Sequence, residues 1–295
     1  MSPQSSGDGM GRRALLGGMA SALTLLATSA SAEEASSAPP VLFVSHGAPN
    51  LPLDEPRRSA LSAWGKTLSR PSGIVVMTPH FGTRQLELGA TGRGFNMYNM
   101  PGWFKKRLPQ DLDYATPPSE SLAQRVEALC GASERPIRAA RRGFDHTTWM
   151  PLYYLYPGAP APVLEVSFQY RPDRELFALG RALAPLRREG VVFVASGGMT
   201  HNLAHLTEEV ATPPSWSREF DAWASEALEQ RNVDALLDWR AKAPAAELAH
   251  PDDGGHFRVL LFALGAATAE GGIRKVLFPV SGFDSALSRR SVELR

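Results

Sequence analysis

Short apolar runs alternate with amphipathic segments along the chain from residue 41 onward. Each run has four to six residues, is rich in Val, Phe and Leu, and is bounded by Gly, Pro or Ser, which is typical of strands buried on both faces of a sheet. The predicted strands cover residues 41–44, 73–77, 162–166, 190–195 and 275–279.

Apolar residues with helical spacing fill the intervals between these runs. The predicted helices cover residues 58–68, 119–130, 174–188, 217–230 and 255–267. This alternation favours an α/β fold with a central, largely parallel sheet flanked by helices. Because the chain shows no internal repeat and no second linker, we expect a single domain over residues 41–295, with its ligand site at the carboxyl ends of the strands.

The first 32 residues predict an export signal. Arg12 and Arg13 precede an apolar stretch that is too short to span a bilayer, and the small residues at 29–32 indicate cleavage after Ala32. The run GRRALLGG resembles a twin-arginine signal, which implies a bacterial protein carried by the twin-arginine machinery to the periplasm or outside the cell. A Sec-type signal or an uncleaved anchor are the alternatives. Residues 33–40 form a predicted linker, and we expect no stable membrane anchor.

Composition narrows the possible chemistry. The 295 residues include 31 Lys and Arg against 30 Asp and Glu, so the net charge of +1 offers no electrostatic basis for binding nucleic acid. Removal of the predicted signal takes away two arginines and one aspartate and leaves a neutral chain. The single cysteine, Cys130, excludes an intramolecular disulfide and a Cys-rich zinc module. Any metal site must therefore be built from histidines and carboxylates.

Three of the seven histidines follow predicted strands. His46 comes after 41–44, His80 after 73–77, and His201 shortly after 190–195. Parallel strands end at the same edge of a sheet, so these three side chains can converge there. One histidine at a strand end is more often structural than functional, but three together are hard to explain in that way. Neutral imidazoles with an open coordination position suit Zn²⁺ or Fe²⁺, and a further histidine held off the metal could take a proton from a substrate hydroxyl.

The other four histidines are less distinctive. His256 opens a predicted helix and is either a ligand or a residue of the helix start. His146 could serve an aromatic pocket or cap a helix, and His205 and His250 are expected on the surface or behind the site. The pair Arg141 and Arg142 is expected on a solvated face.

Several ordered sequence blocks resemble the class III, LigB-type extradiol ring-cleavage dioxygenases, and within them the DOPA dioxygenase branch. The blocks run in order from about residue 41 to the C-terminus. They are SHGAP at 45–49, TPHF at 78–81, GFDHTTW at 143–149, SGGMTHNL at 196–203, GHFRVLLFALGAA at 255–267 and GFDSALS at 282–288.

This resemblance implies an enzyme that opens a small catechol-type diol, DOPA-like in class, with O₂. It implies that His46, His80 and His256 bind one divalent ion, for which three histidines favour Zn²⁺ and the oxygen chemistry favours Fe²⁺. It also implies that His201 is the acid/base residue and a possible additional ligand. The remaining implied residues are His146, as a catalytic hydrogen-bonding group, and Trp149 and Tyr98, as parts of the substrate pocket.

Two departures from the family pattern leave the substrate open. Gly255 stands where the family has an acidic residue before the third ligand, and Tyr98, Asn99 and Met100 replace a Tyr-Asp-Phe segment. Two other functions also stay open: a zinc-binding module of the same fold without oxygenase chemistry, and a zinc hydrolase that uses metal-bound water with His201 as base.

Overall fold

A computed structural model describes residues 38–100, 102–109, 111–131, 134–207, 212–269 and 271–295. The predicted export signal and the first five residues of the predicted linker lie outside these ranges.

A six-stranded sheet forms the centre of the described chain. Its strands are β1 (Val41–Ser45), β2 (Gly73–Met77), β3 (Val163–Glu165), β4 (Val191–Gly197), β5 (Val276–Val280) and β6 (Ser291–Leu294). Their spatial order is β3-β2-β4-β1-β6-β5. The first four pair in parallel, whereas β6 runs antiparallel to both of its neighbours. The predicted α/β architecture with a largely parallel sheet is confirmed.

Helices cover both faces of this sheet. They are α1 (Glu55–Gly65), α2 (Gly102–Lys105), α3 (Glu120–Cys130), α4 (His146–Leu155), α5 (Asp173–Leu183), α6 (Ser215–Glu229), α7 (Val233–Leu237), α8 (Trp239–Lys242), α9 (Ala246–Ala249) and α10 (Gly255–Thr268). In the described part of the chain, 3-10 turns include Leu51–Leu53, Ala184–Glu189 and Leu203–His205. Alternate side chains of each strand point to opposite faces, so Val41 and Phe43 pack into one apolar core and Leu42 and Val44 into the other.

Two-residue strands add three small ladders outside the main sheet. Gly82–Thr83 pairs with Phe168–Gln169, Glu87–Leu88 with Ile137–Arg138, and Phe283–Asp284 with Leu287–Ser288. Among the described residues, no helix has the length and apolar character needed to cross a membrane.

The five predicted strands and the five predicted helices are all present; the strand at 73–77 has the predicted ends, and the other elements differ at one or both ends. The predicted helix at 174–188 is divided in the structure, because α5 ends at Leu183 and a 3-10 turn with a proline at its start continues to Glu189. The expectation that every strand is buried on both faces is wrong for β5, which lies at the sheet edge and is half-buried over most of its length. The strand β6 was not predicted.

Candidate metal centre

Three histidines from different elements converge at the carboxyl edge of the sheet. His46 directly follows β1, His80 lies three residues after β2, and His256 is the second residue of α10. Each offers one ring nitrogen, and these nitrogens all lie within 4.8 Å of one another. The ring centroids are 5.2 to 5.6 Å apart. The structure therefore brings together the three residues predicted as metal ligands.

Close backbone packing holds α10 against the end of β4. The amide of Gly198 donates a hydrogen bond to the carbonyl oxygen of His256 at 2.9 Å. A Cβ atom placed on Gly197 would lie 2.1 Å from that same oxygen, so only glycine permits this approach. The space at Gly255 is tight but less restricted, because a Cβ there would lie 3.2 Å from Cβ of Pro79, next to His80. Small residues thus bring His256 to the strand ends.

Burial keeps the imidazoles of His46 and His256 neutral. Burial is the largest cause that lowers the pKa of His46 well below its usual value, followed by repulsion from His256 and His80. The pKa of His256 is also well below its usual value, first through burial and then through the neighbouring histidines. Neutral imidazole is the form that binds a metal.

The residues present fit a divalent ion. The Nε2 atom of His256 is buried and has no hydrogen-bond partner among the described residues, although a buried polar atom left unpaired is costly. A bound ion would satisfy it. The side chain of His80 is 29% exposed, so the site opens to solvent on that side. Three neutral nitrogens at one open site match the ligand preference of Zn²⁺ and also accept Fe²⁺.

His201 stacks on the ring of His256. Their ring centroids are 3.4 Å apart and their planes differ by 7°. Burial lowers the pKa of His201 to about 4, although the charge of Asp252, whose carboxylate lies 4.0 Å away, acts in the opposite direction. The backbone N–H of His201 donates to the carbonyl of Ala249 and fixes the loop. A neutral imidazole therefore lies next to the candidate metal site, and its acid/base role stays a prediction.

His146 borders the cluster from the start of α4. It is the first residue of that helix, and its ring centroid lies 5.0 Å from that of His80. Its Nδ1 atom lies 3.4 Å from the amide oxygen of Asn99. Burial is the main cause that lowers the pKa of His146 to about 4. The cap of α4 is not His146 but Asp145, whose side chain accepts from the N–H of Thr147.

Tyr98 and Trp149 lie together beside His146. Their ring centroids are 5.4 Å apart, and the hydroxyl of Tyr98 donates to the carbonyl of Leu112. Trp149 has no exposed surface and belongs to one of the two apolar cores. It therefore supports Tyr98 from behind, and the predicted pocket roles of both residues stay predictions.

A buried polar network beneath the cluster was not predicted. Oδ2 of Asp145 lies 3.4 Å from Nδ1 of His80, and Oγ of Ser196 lies 3.1 Å from Nδ1 of His46. Burial alone would raise the pKa of Asp145, but the hydrogen bond and charge of His80 and the hydrogen bond from Thr147 outweigh it and lower the pKa to about 2. These contacts join residues far apart in the chain, so local patterns gave no signal for them.

Arg142 does not lie on a solvated face, contrary to the expectation from the sequence. Its guanidinium lies 4.3 Å from the ring centroid of Phe81, and its Nε donates to the carboxylate of Glu165 at 2.9 Å. Glu165 also accepts from the hydroxyl of Thr148 at 2.6 Å, and burial raises the pKa of this carboxyl to about 7. Only 18% of the Arg142 side chain is exposed, because it bridges the ends of β2 and β3.

The remaining two histidines differ from each other. His205 is exposed and packs against Trp216 at a centroid distance of 5.4 Å. A surface position for His250 is wrong, because this residue is fully buried and its Nε2 atom lies 3.0 Å from the carbonyl oxygen of Met199. His250 lies among the aromatic side chains of Phe220, Trp239 and Phe257, behind the loop that carries His201.

Comparisons with known proteins point in one direction. Residues 35–286 match the family described as the catalytic LigB subunit of aromatic ring-opening dioxygenase. A 4,5-DOPA dioxygenase extradiol from Beta vulgaris is 34% identical over 238 residues, which cover 76% of this chain and 85% of that protein. A protein of the same name from Escherichia coli is 31% identical over 269 residues, or 86% of this chain and 94% of that protein. The crystal structure of an uncharacterized protein from Escherichia coli K12 superposes with a TM-score of 0.72 at 28% identity, covering 87% of this chain and all of that one.

Proposed function

The chain belongs to the family of the catalytic LigB subunit of aromatic ring-opening dioxygenases, and we propose that it opens a catechol-type diol, DOPA-like in class, at the site formed by His46, His80 and His256. Membership of this family means an enzyme that acts on an aromatic substrate with O₂ and uses a divalent metal. The proposed substrate class follows the relatives named as 4,5-DOPA dioxygenases. The observation that carries the site is the convergence of three imidazoles from β1, β2 and α10.

His46, His80 and His256 would hold the metal. A divalent ion there would act as a Lewis acid that binds the diol oxygens. As Fe²⁺, it would also provide the redox chemistry that the reaction with O₂ requires. We assign Fe²⁺ to the ring-opening reaction because Zn²⁺ does not change its oxidation state. Three neutral ligands leave the charge of the ion uncompensated, which favours an anionic diol over a neutral one.

His201 and His146 supply the proton chemistry of the proposed site. Both are neutral at physiological pH, since burial lowers the pKa of each to about 4. His201, stacked on His256, is placed to accept a proton from a hydroxyl of a diol bound at the cluster. His146, whose Nδ1 faces Asn99, has Nε2 left for a hydrogen bond to the substrate. Tyr98, whose ring packs on that of Trp149, would bound the substrate pocket.

Anaerobic reconstitution tests this function. The purified protein is stripped of metal, loaded with Fe²⁺ or Zn²⁺, and mixed with O₂ and a panel of catechols that includes DOPA, unsubstituted catechol and a catechol with an acidic side chain. A yellow ring-fission product with Fe²⁺ and none with Zn²⁺ is expected. Full Fe²⁺ loading without turnover of any diphenol would contradict the proposal, and turnover of an ester without O₂ would indicate a hydrolase instead.

We also propose export by the twin-arginine machinery to the periplasm, which rests on Arg12, Arg13 and the small-residue ending at Ala32. Expression in a bacterium with that machinery should give a periplasmic protein that begins at Glu33, as read by mass spectrometry. Replacement of both arginines by lysine should retain the precursor in the cytoplasm. A mature periplasmic protein from that variant would contradict the assignment.

A further inference from the structure

Two of the three clustered imidazoles have a specific partner on their Nδ1 atom. For His46 the partner is the hydroxyl of Ser196 at 3.1 Å, and for His80 it is the carboxylate of Asp145 at 3.4 Å. Both partners are tied to the first turn of α4, because Asp145 caps this helix and Ser196 bonds to the backbone of Thr147. The start of α4 therefore supplies or anchors both of these Nδ1 partners.

The hydrogen-bond direction at Ser196 fixes the proton on His46. The hydroxyl of Ser196 donates to the carbonyl oxygen of Thr147 at 2.5 Å. A carbonyl only accepts, and a hydroxyl has one hydrogen, so Ser196 has only a lone pair left for His46. The Nδ1 atom of a neutral His46 must then carry the hydrogen, and Nε2 keeps a free lone pair.

The surroundings of Asp145 give the same result for His80. Asp145 is fully buried, and its Oδ1 accepts from both the N–H and the hydroxyl of Thr147, at 2.9 and 2.5 Å. Its Oδ2 lies 3.8 Å from the guanidinium of Arg142. An ionised carboxylate only accepts hydrogen bonds, so a hydrogen bond across the 3.4 Å contact between Nδ1 of His80 and Oδ2 of Asp145 requires Nδ1 to be the donor. The backbone of His80 is held as well, since its N–H donates to the hydroxyl of Thr78, which bonds to that of Thr147.

We propose that Asp145 and Ser196 are positioning residues that keep His80 and His46 in the tautomer protonated at Nδ1, so that Nε2 of each is free to bind the metal. Partners of this kind orient ligand histidines and raise their basicity at metal sites. The inference rests on the metal site of the proposed function but not on the ring-opening reaction. It adds a role for a buried aspartate and a serine that are not among the three proposed ligands.

The first test reads the tautomers directly in the metal-free protein. Two-bond ¹H–¹⁵N spectra of the ¹⁵N-histidine-labelled chain near pH 7.5 distinguish a hydrogen on Nδ1 from one on Nε2. In the unaltered protein, His46 and His80 should both carry it on Nδ1. In Asp145→Asn the new amide can donate to Nδ1, so His80 should shift toward the Nε2-protonated form. A hydrogen on Nε2 of both residues in the unaltered protein would overturn the inference, whatever the variants do.

The second test measures Zn²⁺ affinity by competition with a chelator. Asp145→Asn should weaken binding by about 10- to 100-fold, and Ser196→Ala should weaken it in the same direction. Asparagine caps helices as well as aspartate does, so the start of α4 is kept. The matched control is Asp221→Asn, because Asp221 is a buried carboxylate whose partners are Ser288 and Arg290. The affinity of the Asp221→Asn variant for Zn²⁺ should equal that of the unaltered protein.

Two results would overturn the inference in distinguishable ways. Unchanged Zn²⁺ affinity in Asp145→Asn and Ser196→Ala, with tight binding by the unaltered protein, refutes the positioning role and leaves the metal site intact. Failure of the unaltered protein to bind Zn²⁺ refutes the metal site as well. Neither outcome depends on whether any catechol is turned over.

Discussion

At the scale of single residues, the rings of His201 and His256 stack on each other, but the predicted roles of the two residues differ. The buried Nε2 of His256 has no hydrogen-bond partner in the part of the chain that the structure describes, as expected of a ligand, whereas His201 is half-buried and faces Asp252. Replacing His201 by glutamine should therefore lower kcat by about 10²- to 10⁴-fold, the usual contribution of a general acid or base, while Fe²⁺ binding is retained. Steady-state kinetics and metal analysis of the same sample check this.

His205→Gln is the matched control for that variant. His205 lies on the surface of the same loop region, where its ring contacts Trp216 and not the histidine cluster. We expect unchanged kcat and unchanged metal content. If His201→Gln instead loses the metal as completely as a variant of His46 does, His201 is a ligand and not the proton-transfer residue.

The positions of several site histidines could be predicted because they depend on local sequence. His46, His80 and His201 each follow a short apolar strand, and a parallel sheet brings such ends together without further information. Their partners could not be predicted in this way. The contact between His46 and Ser196 joins positions 150 residues apart, and only the packing of β4 beside β1 creates it. For the same reason the sequence left His250 between a surface position and one behind the site.

At the scale of elements, the distance between β4 and α10 sets the position of His256. Gly197→Ala would place a methyl group 2.1 Å from the carbonyl oxygen of His256 and 2.7 Å from a methyl group of Val259. We expect a loss of about 1–3 kcal/mol in the free energy of unfolding, as for overpacked cores, together with weaker Zn²⁺ binding. Urea titration and chelator competition measure the two effects.

Gly92→Ala provides the comparison for this packing effect. A Cβ at Gly92 meets nothing within 4 Å, so both stability and metal affinity should stay close to those of the unaltered protein. Equal effects of the two substitutions would show that the contact between β4 and α10 does not control the site.

The elements that were not predicted are those whose secondary structure depends on neighbouring elements. The strand β6 is only four residues long and follows a turn-rich tail, yet all four of its side chains are buried because it lies between β1 and β5. Its antiparallel pairing comes from this position in the sheet and not from its own composition. The helix α4 was not among the predicted helices either, although a helix start at His146 was one of the two interpretations of that residue.

At the scale of the whole molecule, buried neutral histidines predict an acid-sensitive fold. Burial lowers the pKa of His146, His201 and His250 to about 4 in the folded chain, against about 6.5 when unfolded. The unfolded chain therefore binds more protons between these values, and the free energy of unfolding of the metal-free protein should fall as the pH drops from about 6.5 to about 4. Urea unfolding at a series of pH values measures the slope.

His250 allows this pH effect to be separated from the metal site. It is fully buried outside the cluster, so His250→Gln should make the pH slope shallower, although the substitution itself lowers stability at neutral pH. A stability that does not change between pH 6.5 and pH 4 would contradict the burial of neutral imidazoles.

The central claim concerns the reaction of the whole enzyme, and oxygen uptake tests it most directly. The metal-free protein is loaded with Fe²⁺ without air, a limiting amount of catechol substrate is added, and dissolved O₂ is followed with an electrode while the product is followed by its absorbance. The account predicts that one O₂ is consumed for each diol opened and that Fe²⁺-treated His80→Ala consumes none. Diol consumption without O₂ uptake, or equal O₂ uptake by the unaltered protein and by His80→Ala, would contradict it.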